Sequence, residues 1–306
     1  MGESLTKKNE RGDDAWFCPV RARTLVPKSV REVRESATLG TIWGMTWIVG
    51  AAAALGYAVG ISDVRVTFGD GSERDCLQKI YPMARFIAAG FAGSVQIGFA
   101  MLDGLAHQLR DAPEGQAFLP QEVADCFSPL ASDIFQSFPP HERASHSHLM
   151  FLGAHPTDDV GIPGYARCSL HVLKSPEFVP TSAPIGEVVS IGSGSGFPPY
   201  QEALARLSSN PMSLIQMETA GLGASSVLLS MVVQKTIERN PSPGISPHAH
   251  VCLVRRGFVD VRPNDADQYP QSGEKIEFRM PRVATSWNEF TQMASTDCKS
   301  SQGAIC

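Results

Sequence analysis

The fold is decided by the stretch Thr46-Trp47-Ile48-Val49 … Gly56-Tyr57-Ala58-Val59-Gly60-Ile61-Ser62-Asp63 … Lys79-Ile80-Tyr81 … Ala88-Ala89-Gly90-Phe91-Ala92-Gly93-Ser94. β-Branched and aromatic runs bounded by glycines suit buried strands, and the uncharged Ala51 to Leu55 with Gly56 connects the first two. The expected order is two short strands, a loop, a further strand, and a glycine turn that opens a helix. Any chemistry belongs at the ends of these strands.

Working outward, Ser94 is the expected N-cap of a helix over 95–110, where Val95, Phe99, Leu102, Ala106 and Leu109 recur at helical spacing. A second helix is expected over 121–136, bracketed by Pro120 and Pro139-Pro140. Strands follow over 148–153, 168–173 and 187–191, the last leading into Gly192-Ser193-Gly194-Ser195-Gly196. Helices over 199–208 and 213–240 come next, the longer one weakened by Gly221 and Gly223, before a hairpin whose strands begin near Val251 and Gly257. Strands followed by helix pairs, twice over, indicate an α+β chain and a four-layer α/β/β/α sandwich rather than alternating βαβ units. Residues 1–40 form an N-terminal extension, partly flexible, anchored by Trp16 and Phe17 and carrying a short helix after Pro27. Residues 41–280 form the domain. Residues 281–306 read as a polar, Ser-rich and mostly exposed tail.

Bulk composition removes several classes of function. A chain of 306 residues, 43% hydrophobic, can bury a sizeable core. Its net charge of −5 leaves no basic excess to neutralise phosphates, so nucleic acid is not an expected partner. Seven scattered cysteines, odd in number and without a C-x-x-C pair, favour free thiols in a reducing compartment. With a polar N-terminus in place of a secretory h-region, the cytoplasm is the expected location. Residues 36–62 carry no charge before Asp63, contain Gly56-x-x-x-Gly60, and follow Arg21, Arg23, Lys28, Arg31 and Arg34. That combination allows a membrane-anchored reading, although Ala, Gly and Thr insert weakly and the same residues serve as strands.

The ordered motifs resemble the proteasome-type subunit family, as in the peptidase subunit of the bacterial two-component ATP-dependent protease. Thr46-Trp-Ile-Val, the hairpin to Ser62-Asp63, Lys79-Ile80-Tyr81 and Gly90-Phe-Ala-Gly-Ser94 match its first third, and Ile191-Gly-Ser-Gly-Ser195 follows in the family's order. The resemblance covers roughly residues 41–260. It implies a fold of the N-terminal nucleophile hydrolase type, with Thr46 as nucleophile once its α-amine is freed and Asp63 as the nearby carboxylate. It further implies Gly93 as the backbone N–H donor to the oxyanion, and Ser193 and Ser246 as supporting hydroxyls. No cofactor is implied; a homo-oligomeric or partnered ring is, with a peptide or protein as substrate.

Three departures bear on activity. Met45 precedes Thr46 where active members usually have glycine, and the better processing bond, Gly40-Thr41, leaves the hairpin several residues too long. Counting back from Tyr81 puts Cys76 where the family has a lysine. Strand alternation would turn Lys79 to the other face and make Arg74 the substitute charge. The family's aspartate near Ser246 is replaced by Pro243-Gly-Ile, with no carboxylate in that loop. The expectation is therefore a non-catalytic or degenerate proteasome-like subunit with a structural or regulatory role in a ring. Two alternatives remain: a self-processed threonine peptidase or amidase with an altered site, and a membrane-anchored protein. The 192–196 glycines lack the G-x-G-x-x-G spacing and a P-loop lysine. His146/His148 and His248/His250 lack a third metal ligand. No G-x-S-x-G elbow occurs.

Overall fold

The computed structural model describes residues 46–53, 56–110, 118–159, 166–208, 224–264 and 280–302. They make a mixed α+β structure with two five-stranded antiparallel sheets, a two-stranded ribbon and six helices. The first sheet contains β1 (Ile48–Ala52), β2 (Ala58–Asp63), β10 (Val188–Ile191), β11 (Ala249–Arg255) and β12 (Phe258–Pro263), in the order β10-β1-β2-β11-β12. The second contains β5 (Ile80–Ala84), β6 (Ile87–Gly93), β7 (Ser147–Asp159), β8 (Ala166–Lys174) and β9 (Thr181–Ser182), in sequence order. The ribbon pairs β3 (Arg65–Thr67) with β4 (Glu73–Asp75).

Side-chain alternation along these strands sorts the core into three apolar clusters. Ile48, Ala52, Ala58, Cys252 and Val254 of the first sheet meet Ile80, Ala88, Met150, Leu152 and Leu170 of the second. The opposite faces carry helices. Phe91, Leu149 and Phe151 pack against α1 (Val95–Arg110), α2 (Pro120–Ser137) and α6 (Trp287–Gln302) through Phe99, Phe127 and Phe290. Trp47, Val49 and Ile61 pack against α4 (Pro198–Ser208) and α5 (Ala224–Arg239) through Tyr200, Leu204, Leu229 and Val233. Each fully buried Ile or Phe in these clusters stabilises the fold by ~1.5–3 kcal/mol relative to exposure. The short α3 (Pro140–Arg143) leads into β7. A single 3-10 turn, Ser193–Gly196, lies between β10 and α4.

Several expectations are corrected. The segment after Met280 is not simply an exposed tail: Ala284 lies beside Leu77 in an isolated bridge, and α6 buries Phe290 and Ala294. Its apolar positions are too few to stand out in a Ser-rich sequence, and they gain significance only from the surface they meet. Within 36–62, the described residues include β1 and β2, and among the described residues no helix is long and apolar enough to cross a membrane. Cysteine pairing also differs from the free-thiol expectation. Cys126 is disulfide-bonded, whereas Cys76, Cys168 and Cys252 are buried thiols. The helix expected after Pro27, and Gly221 and Gly223, lie outside the described residues.

Candidate functional site

Thr46 sits where the first sheet begins, and the turn after β10 wraps its backbone. Its nitrogen donates to Ser193 Oγ at 3.0 Å, while its carbonyl accepts from the Ser193 hydroxyl and the Gly194 N–H, each at 3.3 Å. Only glycine fits on either side of that serine. Gly192 has φ +90°, and a Cβ there would lie 2.1 Å from the Thr46 carbonyl oxygen. A Cβ on Gly194 would lie 2.5 Å from the Trp47 ring. The Gly-Ser-Gly run is thus a backbone clamp on Thr46. Trp47 is stacked 4.2 Å from Tyr200, which fixes the other side of the dipeptide.

Asp63 closes the arrangement from the end of β2. Its Oδ1 accepts from the Trp47 N–H at 2.9 Å and its Oδ2 from the Arg65 N–H at 3.0 Å. Lys79 Nζ donates to both oxygens, at 3.0 and 3.2 Å, and to the Arg65 carbonyl. The side chains of this ion pair are 0% and 1% exposed. Burial draws the Lys79 ammonium below its ordinary range, opposed by the Asp63 charge. Burial likewise pushes the Asp63 carboxyl up, opposed by the Lys79 charge and the Trp47 and Arg65 N–H groups. A lysine whose ammonium is lowered by burial gives up its proton more readily than one in water.

The strand-alternation reading that turned Lys79 away fails for a physical reason. Regular pairing stops at Asp75 and resumes at Ile80, so no two-residue period connects Cys76 to Lys79. Instead, Cys76 and Gln78 bond with the backbone of Ala284. Arg74, the expected substitute charge, extends over the Phe68 ring, 5.3 Å from its centroid, and it is Lys79 that meets Asp63.

Gly93 ends β6 with φ +106°, where a Cβ would lie 1.8 Å from the His146 carbonyl oxygen. Its neighbour Ala92 lies 3.1 Å from the place a Gly192 Cβ would occupy, which brings the end of β6 beside the turn that holds Thr46. Thr46, Asp63, Ser193 and Gly93 therefore converge at one end of the paired sheets. Ser246 is fully buried, and its hydroxyl is directed elsewhere: it donates to Asp75 Oδ2 at 2.6 Å and accepts from the His248 N–H at 3.0 Å. Against the burial that would raise it, hydrogen bonds from Arg65 and Ser246 hold the Asp75 carboxyl below its ordinary range.

The sequence marks Lys79, but strand alternation turns it away from Asp63, and Asp75 is left unmarked. For Lys79 a signal existed, since a single lysine between Leu77 and Ile80 must either leave the core or carry a buried partner. For the contact of Asp75 with Ser246 none existed, because the two are 171 residues apart. Among the described residues no group of three or more His, Cys, Asp or Glu is placed to hold a metal. A scan against protein-family models finds no match, and a search of curated proteins likewise finds none.

Proposed function

We propose that the two sheets and their helices constitute a four-layer α/β/β/α sandwich of the N-terminal nucleophile type, and that the protein is a proteasome-like N-terminal threonine peptidase or amidase. The observation that carries this reading is the placement of one dipeptide between two polar devices. Ser193 holds the Thr46 nitrogen, and the buried Asp63–Lys79 pair holds the adjoining Trp47 amide.

The chemistry follows in two stages. Hydrolysis of the Met45–Thr46 bond consumes one water and leaves the Thr46 nitrogen as a free amine beside the Ser193 hydroxyl. The Thr46 hydroxyl then attacks a substrate carbonyl and passes its proton to the amine, with Lys79 keeping that amine's proton affinity low. The tetrahedral oxyanion takes the Gly93 N–H as donor. Collapse expels the substrate's amine, which leaves with the proton, and water hydrolyses the Thr46 ester to restore the hydroxyl. A peptide or protein amide is the substrate class, no cofactor is needed, and a homo-oligomer or a ring with related subunits is the assembly.

A second reading is a non-catalytic ring subunit of structural or regulatory role. It is favoured by Met45 at the processing position and by Thr46 being only 1% exposed. Intact mass separates the two. Loss of residues 1–45 from the 32.9 kDa chain, abolished by Thr46→Ala, supports the hydrolase. A chain that stays uncut and hydrolyses no peptide amide supports the scaffold.

A further inference from the structure

We propose that Asp75, on the β3–β4 ribbon, is a positioning residue for the Thr46 site, supplying through space the carboxylate that the 243–247 loop lacks. The inference rests on the hydrolase reading for its consequence in catalysis, but its geometry stands apart from it. Asp75 accepts from Ser246 Oγ at 2.6 Å, from Arg65 Nε at 2.7 Å and from Arg65 Nη2 at 3.4 Å. His248 Nε2 lies 3.8 Å from the same carboxylate. Two residues earlier on β4, Glu73 accepts from the Gly244 N–H at 2.8 Å and from Arg65 Nη1 at 3.2 Å. Two acidic side chains of one short strand thus clamp the loop at Gly244 and at Ser246.

Arg65 transmits this clamp to the site. Its guanidinium is held by Asp75 and Glu73, while its own N–H donates to Asp63 and its carbonyl accepts from Lys79. The residue that Asp75 fixes by its side chain is the residue whose backbone bridges Asp63 and Lys79. With its side chain 16% exposed and that of Arg65 26% exposed, the pair is shielded enough for its charge to act on the neighbouring ammonium. Removing the charge while keeping the shape therefore has two effects. The Ser246 hydroxyl loses its charged acceptor while Glu73 still holds Gly244, and Lys79 loses a nearby negative charge that favours its protonated form.

The test uses the full-length protein, with Asp75→Asn as the variant and Asp75→Glu as the charge-conserving control. Two readouts are taken: the pH midpoint of Lys79 by NMR on 13C-labelled lysine, and kcat and KM on fluorogenic peptidyl amides. Asp75→Asn should move the Lys79 midpoint to lower pH, and lower kcat about tenfold with KM little changed. Asp75→Glu should keep the midpoint near wild type and recover part of kcat. An unmoved Lys79 midpoint in folded Asp75→Asn overturns the proposal, as does unaltered kcat in an active enzyme. If the wild-type protein stays uncut and inactive, the hydrolase reading fails alone and the Lys79 midpoint still decides the role of Asp75. Should Asp75→Asn not fold, Asp75→Glu carries the test: its displaced carboxylate must lower kcat while the Lys79 midpoint stays near wild type, and a wild-type kcat overturns the proposal.

Discussion

Lys79→Met removes one half of a buried ion pair while keeping the length of the side chain. In the wild type Lys79 Nζ lies 3.0 Å from Asp63 Oδ1, and neither side chain is more than 1% exposed. The variant leaves the Asp63 carboxylate in the interior with, among the described residues, the Trp47 and Arg65 N–H donors. Stranding a buried charge in this way costs about 3–5 kcal/mol. For a chain of this size a loss of ~3 kcal/mol lowers Tm by roughly 6–12 °C. The pair is measured by a double-mutant cycle with Asp63→Asn, in urea at neutral pH. Because the neutral amide introduced by Asp63→Asn needs no counter-charge, the double variant should recover at least ~1.5 kcal/mol relative to the sum of the single variants. A pH dependence accompanies it. Without the ammonium, the burial that raises the Asp63 carboxyl acts unopposed by a positive charge, so its folded pKa lies above its unfolded value. The stability linked to its proton is present at low pH and lost as pH rises through the folded pKa, so the deficit of Lys79→Met is largest at neutral pH and narrows in acid. Single-variant costs that add within about 0.5 kcal/mol, with no narrowing in acid, would refute the buried pair.

Gly93→Ala and Gly192→Ala each place a methyl against a backbone carbonyl at positive φ, whereas Gly196 has open space around its missing Cβ. The first two should each cost at least roughly 2 kcal/mol and Gly196→Ala less than about 0.5, as read from urea midpoints. His171 and His250 are buried, and burial lowers each to about 4. Unfolded histidine titrates near 6.5, so the unfolded chain binds more protons between those values, and stability should fall as pH drops from 6.5 toward 4 by up to about 3 kcal/mol per histidine. His250→Phe should flatten that slope; an unchanged slope in both His250→Phe and His171→Phe would contradict the burial. Phe290 is 1% exposed and meets Phe68 and Trp287, so Phe290→Ala should cost about 3–5 kcal/mol, and a neutral effect in thermal melts would show that α6 does not dock.

Most of the secondary structure was legible because it is written locally. The α1 stripe of Val95, Phe99, Leu102 and Leu109 has the helical period, and Pro120 marks the start of α2. The strand runs around Ile48, Ala58 and Leu149 carry their own signals in branched and aromatic residues. The two-residue β9 and the three-residue β3 and β4 were not legible, since pieces this short have no period to read. Part of the site was legible too. Thr46, Asp63, Gly93 and Ser193 lie at strand ends and glycine turns, which a sequence marks; Lys79 was seen but turned the wrong way, because a period-two argument was carried across an irregular segment.

The sequence by itself determined the α+β class, the order of the longer strands with α1, α2 and α4, and the glycines without which the turns at Gly93 and Gly192 could not form. Those features depend on each residue's own conformational freedom and on the spacing of its near neighbours. Only the tertiary structure decided that Lys79 faces Asp63, that Asp75 rather than a loop aspartate holds Ser246, and that the Ser-rich end of the chain buries Phe290. Each of these joins residues whose nearness is set by how sheets and helices pack. Electrostatic and apolar partners are chosen by distance in space, which separation along the chain does not encode.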